Sequence, residues 1–464
     1  MPEPSGPGAG PGSRPGPGND GGAATGAEPG AAVDPADWPR ERHGPVEIAR
    51  HPRWSRLAES DDDIMVLAYP PVAAGTFRPN VVVRRRTTSG SLAALSAQGI
   101  AGVLGGIDGA HCLSNDRGEV AGRPARGQLF VYHAAEHSVL VDRWLFFAGT
   151  DAVEVTAQYT VEQQEDLAGL LPAMLAQCSV EDAEPAGGSA MPEPLAEPRL
   201  DAFVSRGRER NVESVAKVSV LQPYRAAGPV LSDAALQLVM DQAGRSRLGR
   251  LQLLAQPGLA AELVAGGLME PDGAFTEAFE LLTLPFRQRR LHIRVEGAYG
   301  TRATQLDLWV GGGGAMVAAR PSHAQLVLGR EEGAVPPGAA RLEAIREASI
   351  PGTIAAWAGL GPAWTALGNI DRVPLALFRE RLAAGAELPG GADAATARMW
   401  QQPWFAWRFT LPELGMQRAW LNAGDAGHYA TGTTDDGAMM MQPTPSAHVW
   451  RTMSQETGVA LQLR

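Results

Sequence analysis

The chain has 464 residues, which is too long for one ordinary hydrophobic core, so two or more domains are expected. Its 40 basic and 51 acidic residues give a net charge of −11, which argues against nucleic acid or an anionic membrane as the main partner. No apolar run of about 18 residues indicates a membrane span, and the N-terminal residues lack the apolar core of a signal peptide. We therefore expect a cytoplasmic protein without membrane insertion.

Residues 1–45 are rich in Gly and Pro and poor in large apolar side chains, so they cannot bury enough surface to offset chain entropy. We predict that this tail is disordered. Residues 46–182 predict a compact α/β domain. Three consecutive strands joined by short turns indicate antiparallel pairing. The predicted elements are strands at Ile64–Tyr69, Asn80–Arg86, Ala110–Asn115, Arg126–His133, Ser138–Phe147 and Ala152–Thr160, with helices at Ser91–Leu104 and Val161–Gln177.

Two segments of this domain, FRPNVVV from Phe77 and GRPAR from Gly122, together with the order of its strands and helices, resemble the actinobacterial LpqN/LpqT family. That family is similar to the PsbP fold, so the resemblance implies an antiparallel sheet flanked by helices. Family members often carry an export signal, which we do not expect here because the N-terminal residues have no apolar core. The Pro/Glu-rich stretch at 183–205 predicts an extended linker, and we expect the two domains that it joins to move relative to each other.

Residues 206–464 form the second predicted domain. Val215–Leu221 alternates and predicts a strand. Ser232 is a candidate N-cap for a helix ending at Gln242. Further helices are predicted at Leu259–Gly266 and Ala274–Leu284, the second ended by Pro285.

Two stretches of this domain predict antiparallel meanders, each leading into a helix. The first runs from Arg289 to Gly329, with alternating strands, glycine-rich turns and a last short strand at Gln325–Leu328. A helix is predicted in AARLEAIREA, after Pro336 and Pro337. The second meander has strands at Trp404–Thr410, Met416–Leu421, His428–Thr433 and Ala438–Gln442, and a helix in SAHVWRTMSQETG follows. The fold class is thus α/β (α+β), with two pseudo-repeated meander-plus-helix units in the C-terminal domain.

The segments LSDAALQLVMDQAG, AAELVAGGLMEPDGAFTEAFELLTLP and RRLHIRVEG resemble the EspG family of type VII (ESX) secretion chaperones, as does the C-terminal PTPSAHVWRTM. EspG proteins have a two-fold-like α/β architecture, which agrees with the paired meanders. The resemblance implies a non-enzymatic chaperone that caps the apolar tip of a helical secretion substrate of PE-PPE or WXG type.

Motifs for catalysis or metal binding receive little support. His133, Glu136 and His137 match the H-x-x-E-H pattern, but that zinc chemistry needs a helix, and here the motif lies between two predicted strands. His111 and Cys112 are adjacent in a strand, so their side chains point to opposite faces and cannot pair. Cys112 and Cys178 are interpreted as reduced, buried thiols. We expect no enzyme, no catalytic residues, no metal and no cofactor.

The densest aromatic cluster is at Trp400–Phe409. Sheet core and a protein-binding face are both open interpretations. In the first meander Leu306, Leu308 and Val310 are predicted to be buried, with Asp307 and Trp309 on the opposite face. We expect Trp309, Trp400 and Trp404 to contact the partner. The alternative functions are a small-ligand or lipid-binding protein acting through the N-terminal domain, and a hydrolase with an unrecognised site.

Overall fold

The computed structural model describes residues 34–57, 62–134, 136–181, 215–330, 333–364 and 372–463. The predicted linker at 183–205 and the predicted tail up to residue 33 lie outside these residues. The last part of the predicted tail belongs to the fold, because Arg40–His43 pairs with Val46–Ala49 and the Trp38 side chain is buried. The tail prediction extended too far because the single apolar Trp38 was outweighed by its Gly/Pro-rich surroundings.

The N-terminal domain contains two antiparallel sheets packed with helices. The order in the larger sheet is β3-β4-β5-β9-β8-β7-β6, and the smaller sheet has the order β1-β2-β10. Its strands are β1 Arg40–His43, β2 Val46–Ala49, β3 Ser55–Arg56, β4 Ile64–Ala68, β5 Asn80–Thr87, β6 His111–Val120, β7 Arg123–Ala134, β8 His137–Ala148, β9 Asp151–Thr160 and β10 Ser179–Val180. Its helices are α1 Leu92–Gly106, α2 Gln164–Leu167 and α3 Leu170–Ala176, with one-turn 3-10 helices at Pro35–Asp37 and Val161–Gln163.

The C-terminal domain is built on one ten-stranded antiparallel sheet. Its strands are β11 Val230–Ser232, β12 Arg289–Tyr299, β13 Arg302–Gly311, β14 Gly314–Ala319, β15 Ala339–Arg346, β16 Arg372–Pro374, β17 Phe405–Leu411, β18 Met416–Asn422, β19 His428–Thr433 and β20 Ala438–Thr444. Its helices are α4 Ala216–Leu221, α5 Asp233–Gln242, α6 Arg250–Ala255, α7 Pro257–Ala265, α8 Glu277–Arg287, α9 His323–Val327, α10 Ile350–Ala358, α11 Leu375–Ala384, α12 Ala394–Gln401 and α13 Ser446–Gln462. One-turn 3-10 helices lie at Glu347–Ser349, Pro412–Leu414 and Gly424–Ala426.

The strand order of this sheet is symmetric about its centre: β11-β15-β14-β13-β12-β17-β18-β19-β20-β16. In each half a short strand precedes two or more helices, a four-strand meander follows, and its last strand pairs with the short one. The halves join where β12 and β17 pair antiparallel, with Val295 opposite Phe409. The predicted pair of meander-plus-helix units is therefore present, as two halves of one continuous sheet.

Two details of the first meander differ from the prediction. Gln325–Leu328 was expected to be its fourth strand but lies mostly in α9, and AARLEAIREA was expected to be a helix but supplies β15. Ala, Leu, Glu and Arg favour helices by local propensity. In this segment pairing with β14 on one side and β11 on the other outweighs that preference.

The segment at 215–221 was also predicted as a strand and forms the helix α4. A short alternating run of Val, Ala and Ser is ambiguous, because its side chains fit one face of either element. Ser232 does cap α5, since its Oγ accepts a hydrogen bond from the Ala235 N–H at 3.2 Å. Pro285 lies inside α8 instead of ending it, and the helix continues to Arg287.

The domains pack on each other through α10 and α13, the equivalent helices of the two halves. Both contact β6, and they also contact each other. Buried apolar side chains of both domains form one continuous cluster, which includes Leu113 and Val131 from the first domain and Ile350 and Met453 from the second. This shared core argues against the expected independent motion of the domains.

Candidate binding site

A cavity of about 490 Å³ lies where the two domains meet, and we call it the junction cavity. The first domain contributes the loop before β6 and the turn between β7 and β8. The second domain contributes the segment after α4, the end of β15 and the start of α10. The wall of the junction cavity combines apolar with polar side chains, including Ile107, Val131, His133, Tyr224, Arg225, Ile345, Arg346 and Ser349. A volume of this size is typical of small-ligand sites.

His133 is the polar centre of this wall. Its Nδ1 lies 2.7 Å from Ser138 Oγ in its own domain and 3.4 Å from Ser349 Oγ in the other domain. Burial lowers the pKa of His133, and the nearby positive charge of Arg346 lowers it further. Arg346 also forms an ion pair of 3.0 Å with Glu136, which joins the two domains at the surface. The cavity therefore presents a neutral imidazole beside two hydroxyls.

The H-x-x-E-H residues lie at the hairpin between β7 and β8, as their sequence context predicts. His137 Nε2 lies 3.1 Å from the Gly75 carbonyl oxygen, so the two histidines have different neighbours. Within the described ranges, no group of three or more His, Cys, Asp or Glu side chains is arranged to hold a metal ion. The hairpin geometry offers no support for a zincin-like site.

A buried loop follows α10 and contacts the first domain through His111. The carbonyl oxygens of its residues Gly359, Leu360 and Gly361 each accept a hydrogen bond from a side chain on a different strand. Asn422 Nδ2 donates to Gly359 at 2.8 Å, and His428 Nε2 lies 3.1 Å from the Gly361 oxygen. His111 of the first domain places its Nε2 2.6 Å from the Leu360 oxygen. Because a carbonyl only accepts, both histidines carry a proton on Nε2.

The imidazoles around this loop are neutral. Burial lowers the pKa of His111 to about 4 and that of His428 to about 4. Burial lowers the pKa of His323 to about 3, with a further contribution from His428. Gly359, with φ of +67°, lies so close to the His323 ring that an added Cβ would overlap it. The loop is thus fixed by side chains from both domains.

Both cysteines are buried free thiols. Burial raises the pKa of Cys112, and burial raises the pKa of Cys178 to about 11, so neither forms a thiolate at neutral pH. His111 and Cys112 do not pair, because the His111 ring contacts the Leu360 carbonyl. The geometry therefore favours the interpretation of both cysteines as core residues.

The three predicted partner-binding tryptophans are all buried, which corrects the expectation of exposed rings. Trp309 lies beneath α8, in edge contact with Phe286 at 5.6 Å. Trp400 and Trp404 contact each other at 5.0 Å in a separate core on the other half of the sheet. The prediction assumed that these rings lie on an open face. Helix α8 covers Trp309, and Trp400 itself belongs to α12 and packs with Trp404 in a buried cluster. These rings offer no surface for docking.

One polar cluster at the edge of this helical cover was not predicted. Asp307 Oδ1 lies 2.8 Å from His292 Nε2 and accepts a hydrogen bond of 3.0 Å from Arg294 Nε. The His292 ring stacks on Trp309 at 5.5 Å. The residues are adjacent only across the β12–β13 pairing, so no local sequence pattern shows the contact.

The helical layer that covers Trp309 carries exposed leucines. Leu251 and Leu254 lie one turn apart on α6 and are 83% and 72% exposed. Leu281 on α8 is 59% exposed. The intervening Leu253 packs into the core of the layer, so α6 has one buried and one open apolar side. We call Leu251, Leu254 and Leu281 the exposed leucines.

Comparison with known proteins gives distant structural likenesses. LpqN of Mycobacterium tuberculosis, described as involved in cell envelope biogenesis, is 14% identical over 31% of this chain and 89% of its own, with a TM-score of 0.26. The PsbP protein CyanoP of Synechocystis sp. PCC 6803 is 10% identical over 34% of this chain and 99% of its own, with a TM-score of 0.26. No protein-family model and no curated protein matches the chain.

No helix in the described part of the chain combines the length and the hydrophobicity needed to cross a bilayer.

Proposed function

We propose that this chain is a non-enzymatic cytoplasmic binding protein that holds a helical partner and keeps it soluble. The partner class is a type VII (ESX) secretion substrate of PE-PPE or WXG type, as the EspG-like segments of its second domain imply. The exposed leucines are the observation that carries the proposal. Single exposed leucines are ordinary, but two at helical spacing on one short helix form an apolar strip suited to an amphipathic helix.

Two further features support this function. The two halves of the C-terminal sheet agree with the two-fold-like architecture that the resemblance implies. The shared core between the domains provides a rigid body, so binding needs little ordering of the chain.

The test is co-expression of the chain with a candidate helical substrate, followed by size-exclusion chromatography. Leu251→Asp with Leu254→Asp is expected to reduce complex formation by at least about tenfold, because charge replaces apolar contact area. Leu388→Asp is the matched control, since Leu388 is 44% exposed and lies outside this helical layer. The melting temperature should remain that of the unmodified protein in all variants. Equal binding by both variants would contradict the proposed surface.

A second candidate function is binding of a small ligand or lipid, and the junction cavity favours it. The wall pairs apolar residues such as Ile107 and Ile345 with the hydroxyl of Ser349 and the imidazole of His133. Native mass spectrometry and lipid extraction of protein purified from its host would detect a bound small molecule. Ile345→Trp fills the cavity and should abolish that signal, while Leu251→Asp should leave it unchanged.

A further inference from the structure

Helix α1 has little stability of its own. Four of its 15 residues are glycines, which disfavour a helix in its interior: Gly99, Gly102, Gly105 and Gly106. It contains no charged residue, so it has neither ion pairs along its surface nor end charges that favour its dipole. The fold buries Leu95, Ser96 and Ile100 of α1, whereas α13 buries nine of its 17 residues. Helix α1 therefore depends on packing against the sheet but buries few side chains there.

The centre of the contact between α1 and the sheet is polar. Ser96 Oγ donates to Asn115 Oδ1 at 3.1 Å, and Gln128 Nε2 donates to the Ser96 carbonyl oxygen at 3.0 Å. Water can replace such bonds when the helix leaves, so they hold α1 less firmly than apolar packing would. The amide nitrogen of Asn115 is buried without a hydrogen bond to any described residue. Hydration would relieve that unfavourable group, which further lowers the cost of opening.

The second half of α1 covers an apolar cluster and reaches the junction cavity. Ile100 packs in one cluster with Cys112, Phe130 and Val141 of the sheet. Leu104 near the end of the helix and Ile107 just after it line the junction cavity. Departure of α1 from the sheet would therefore expose the Cys112 thiol and widen the junction cavity.

We propose that α1 unfolds locally while the strands beneath it stay folded, and that it thereby acts as a lid of the junction cavity. Segments with few buried contacts open at a lower free energy than the core of a protein does. This inference deepens the second candidate function, because an opened lid admits ligands larger than the closed cavity of about 490 Å³. The tests use the chain without a ligand, so their outcome does not depend on whether the cavity binds one.

Amide hydrogen exchange of the full chain, followed by mass spectrometry, tests the lid. We expect α1 to exchange at least about tenfold faster than β7 and β8 beneath it. Gly102→Ala should slow the exchange of α1 about fivefold, because Ala favours the helix and its Cβ would meet no atom within 4 Å. Gly458→Ala is the matched control, since Gly458 lies in α13 and its added Cβ is equally free. This control should leave the exchange of α1 unchanged.

Labelling of the two cysteines with iodoacetamide gives a second readout. The Cys112 thiol lies in the cluster that α1 covers, whereas Cys178 belongs to the core shared by the domains. Gly102→Ala should slow the labelling of Cys112 about fivefold and leave that of Cys178 unchanged. Equal slowing of α1 exchange by Gly102→Ala and Gly458→Ala would show that α1 opens only with the whole chain, and would overturn the proposal. Equal effects of Gly102→Ala on the two thiols would also overturn it.

Discussion

The side chain of Gln222 pairs with the backbone of Cys112 in both directions. The Cys112 N–H donates to Gln222 Oε1 at 2.9 Å, and Gln222 Nε2 donates to the Cys112 carbonyl at 2.8 Å. Cys112 lies on β6, the edge strand of the larger sheet in the first domain, and Gln222 follows α4. One amide side chain thus occupies part of a sheet edge and ties the domains together, which also protects that edge from pairing with other chains.

Replacing Gln222 by Ala should lower the free energy of unfolding by about 1–3 kcal/mol, because a buried donor and acceptor on Cys112 lose their partners. Urea denaturation followed by tryptophan fluorescence measures the change. Gln237→Ala is the control, since Gln237 is exposed and its side chain donates to Asp241 on the same helix at 2.8 Å. Equal midpoints for the two variants would show that the pair contributes nothing.

Cleavage within residues 182–214 should leave the two domains associated. The continuous apolar core, together with the pair between Gln222 and Cys112, predicts one particle of unchanged mass on size-exclusion chromatography after proteolysis. A protease site inserted in that stretch allows the test. Two separately eluting fragments would show that the domains are independent, as the linker composition predicts.

The buried histidines predict a loss of stability in mild acid. His111 has a pKa near 4 in the folded chain and 6.5 as its ordinary value, so the unfolded chain binds the proton more readily. The contribution of His111 to the free energy of unfolding is constant above pH 6.5, falls as the pH drops towards 4, and then levels off. Asp142 opposes this trend, because burial raises its pKa to about 6.

The contribution of His111 is isolated by comparing the unmodified chain with His111→Gln. Glutamine can still donate to the Leu360 carbonyl but does not titrate. Below pH 6.5 the unmodified chain should therefore lose more free energy of unfolding than the variant does. Chemical denaturation at pH 7.5, 6.0 and 5.0 measures it. A difference that does not change with pH would refute the neutral, buried imidazole.

Leu308→Asp should destabilise the sheet by several kcal/mol, because it places a charge in an apolar core. Asp307→Ala should cost less, but more than an exposed site would, since His292 and Arg294 lose an acceptor. Burial by itself would raise the pKa of Asp307, but hydrogen bonds to its carboxylate outweigh it and lower the pKa. The cost of Asp307→Ala should therefore shrink as the pH falls from the ordinary pKa of an Asp carboxyl through the lowered pKa of the folded chain. Denaturation midpoints of both variants at two pH values measure the two costs and their dependence on pH.

Trp309→Ala should remove about 3–5 kcal/mol of stability, as expected for a large core ring. Partner binding should then fall only in proportion to the unfolded fraction. Thermal melting and pull-down measured on the same preparation provide the comparison. If a fully folded Trp309→Ala protein lost binding, Trp309 would contact the partner directly, as the sequence analysis expects.

Local pattern in the sequence determined the first three strands of the first meander and all four strands of the second, because alternation and glycine turns are properties of neighbouring residues. It also determined the capped helix at Ser232 and placed the H-x-x-E-H residues on a hairpin. Tertiary structure decided that AARLEAIREA is a strand, since its two neighbouring strands come from segments far apart in the chain.

Tertiary structure also decided which side chains are open to a ligand or partner. Alternation predicts that Leu308 and Trp309 face opposite ways, but not that helices cover both faces of the sheet. Tyr224, Arg320 and Arg341 line one cavity of about 210 Å³ although long stretches of chain separate them, so no spacing in the sequence indicates that cavity. Burial and charge at a site depend on distances in space, which local sequence patterns do not contain.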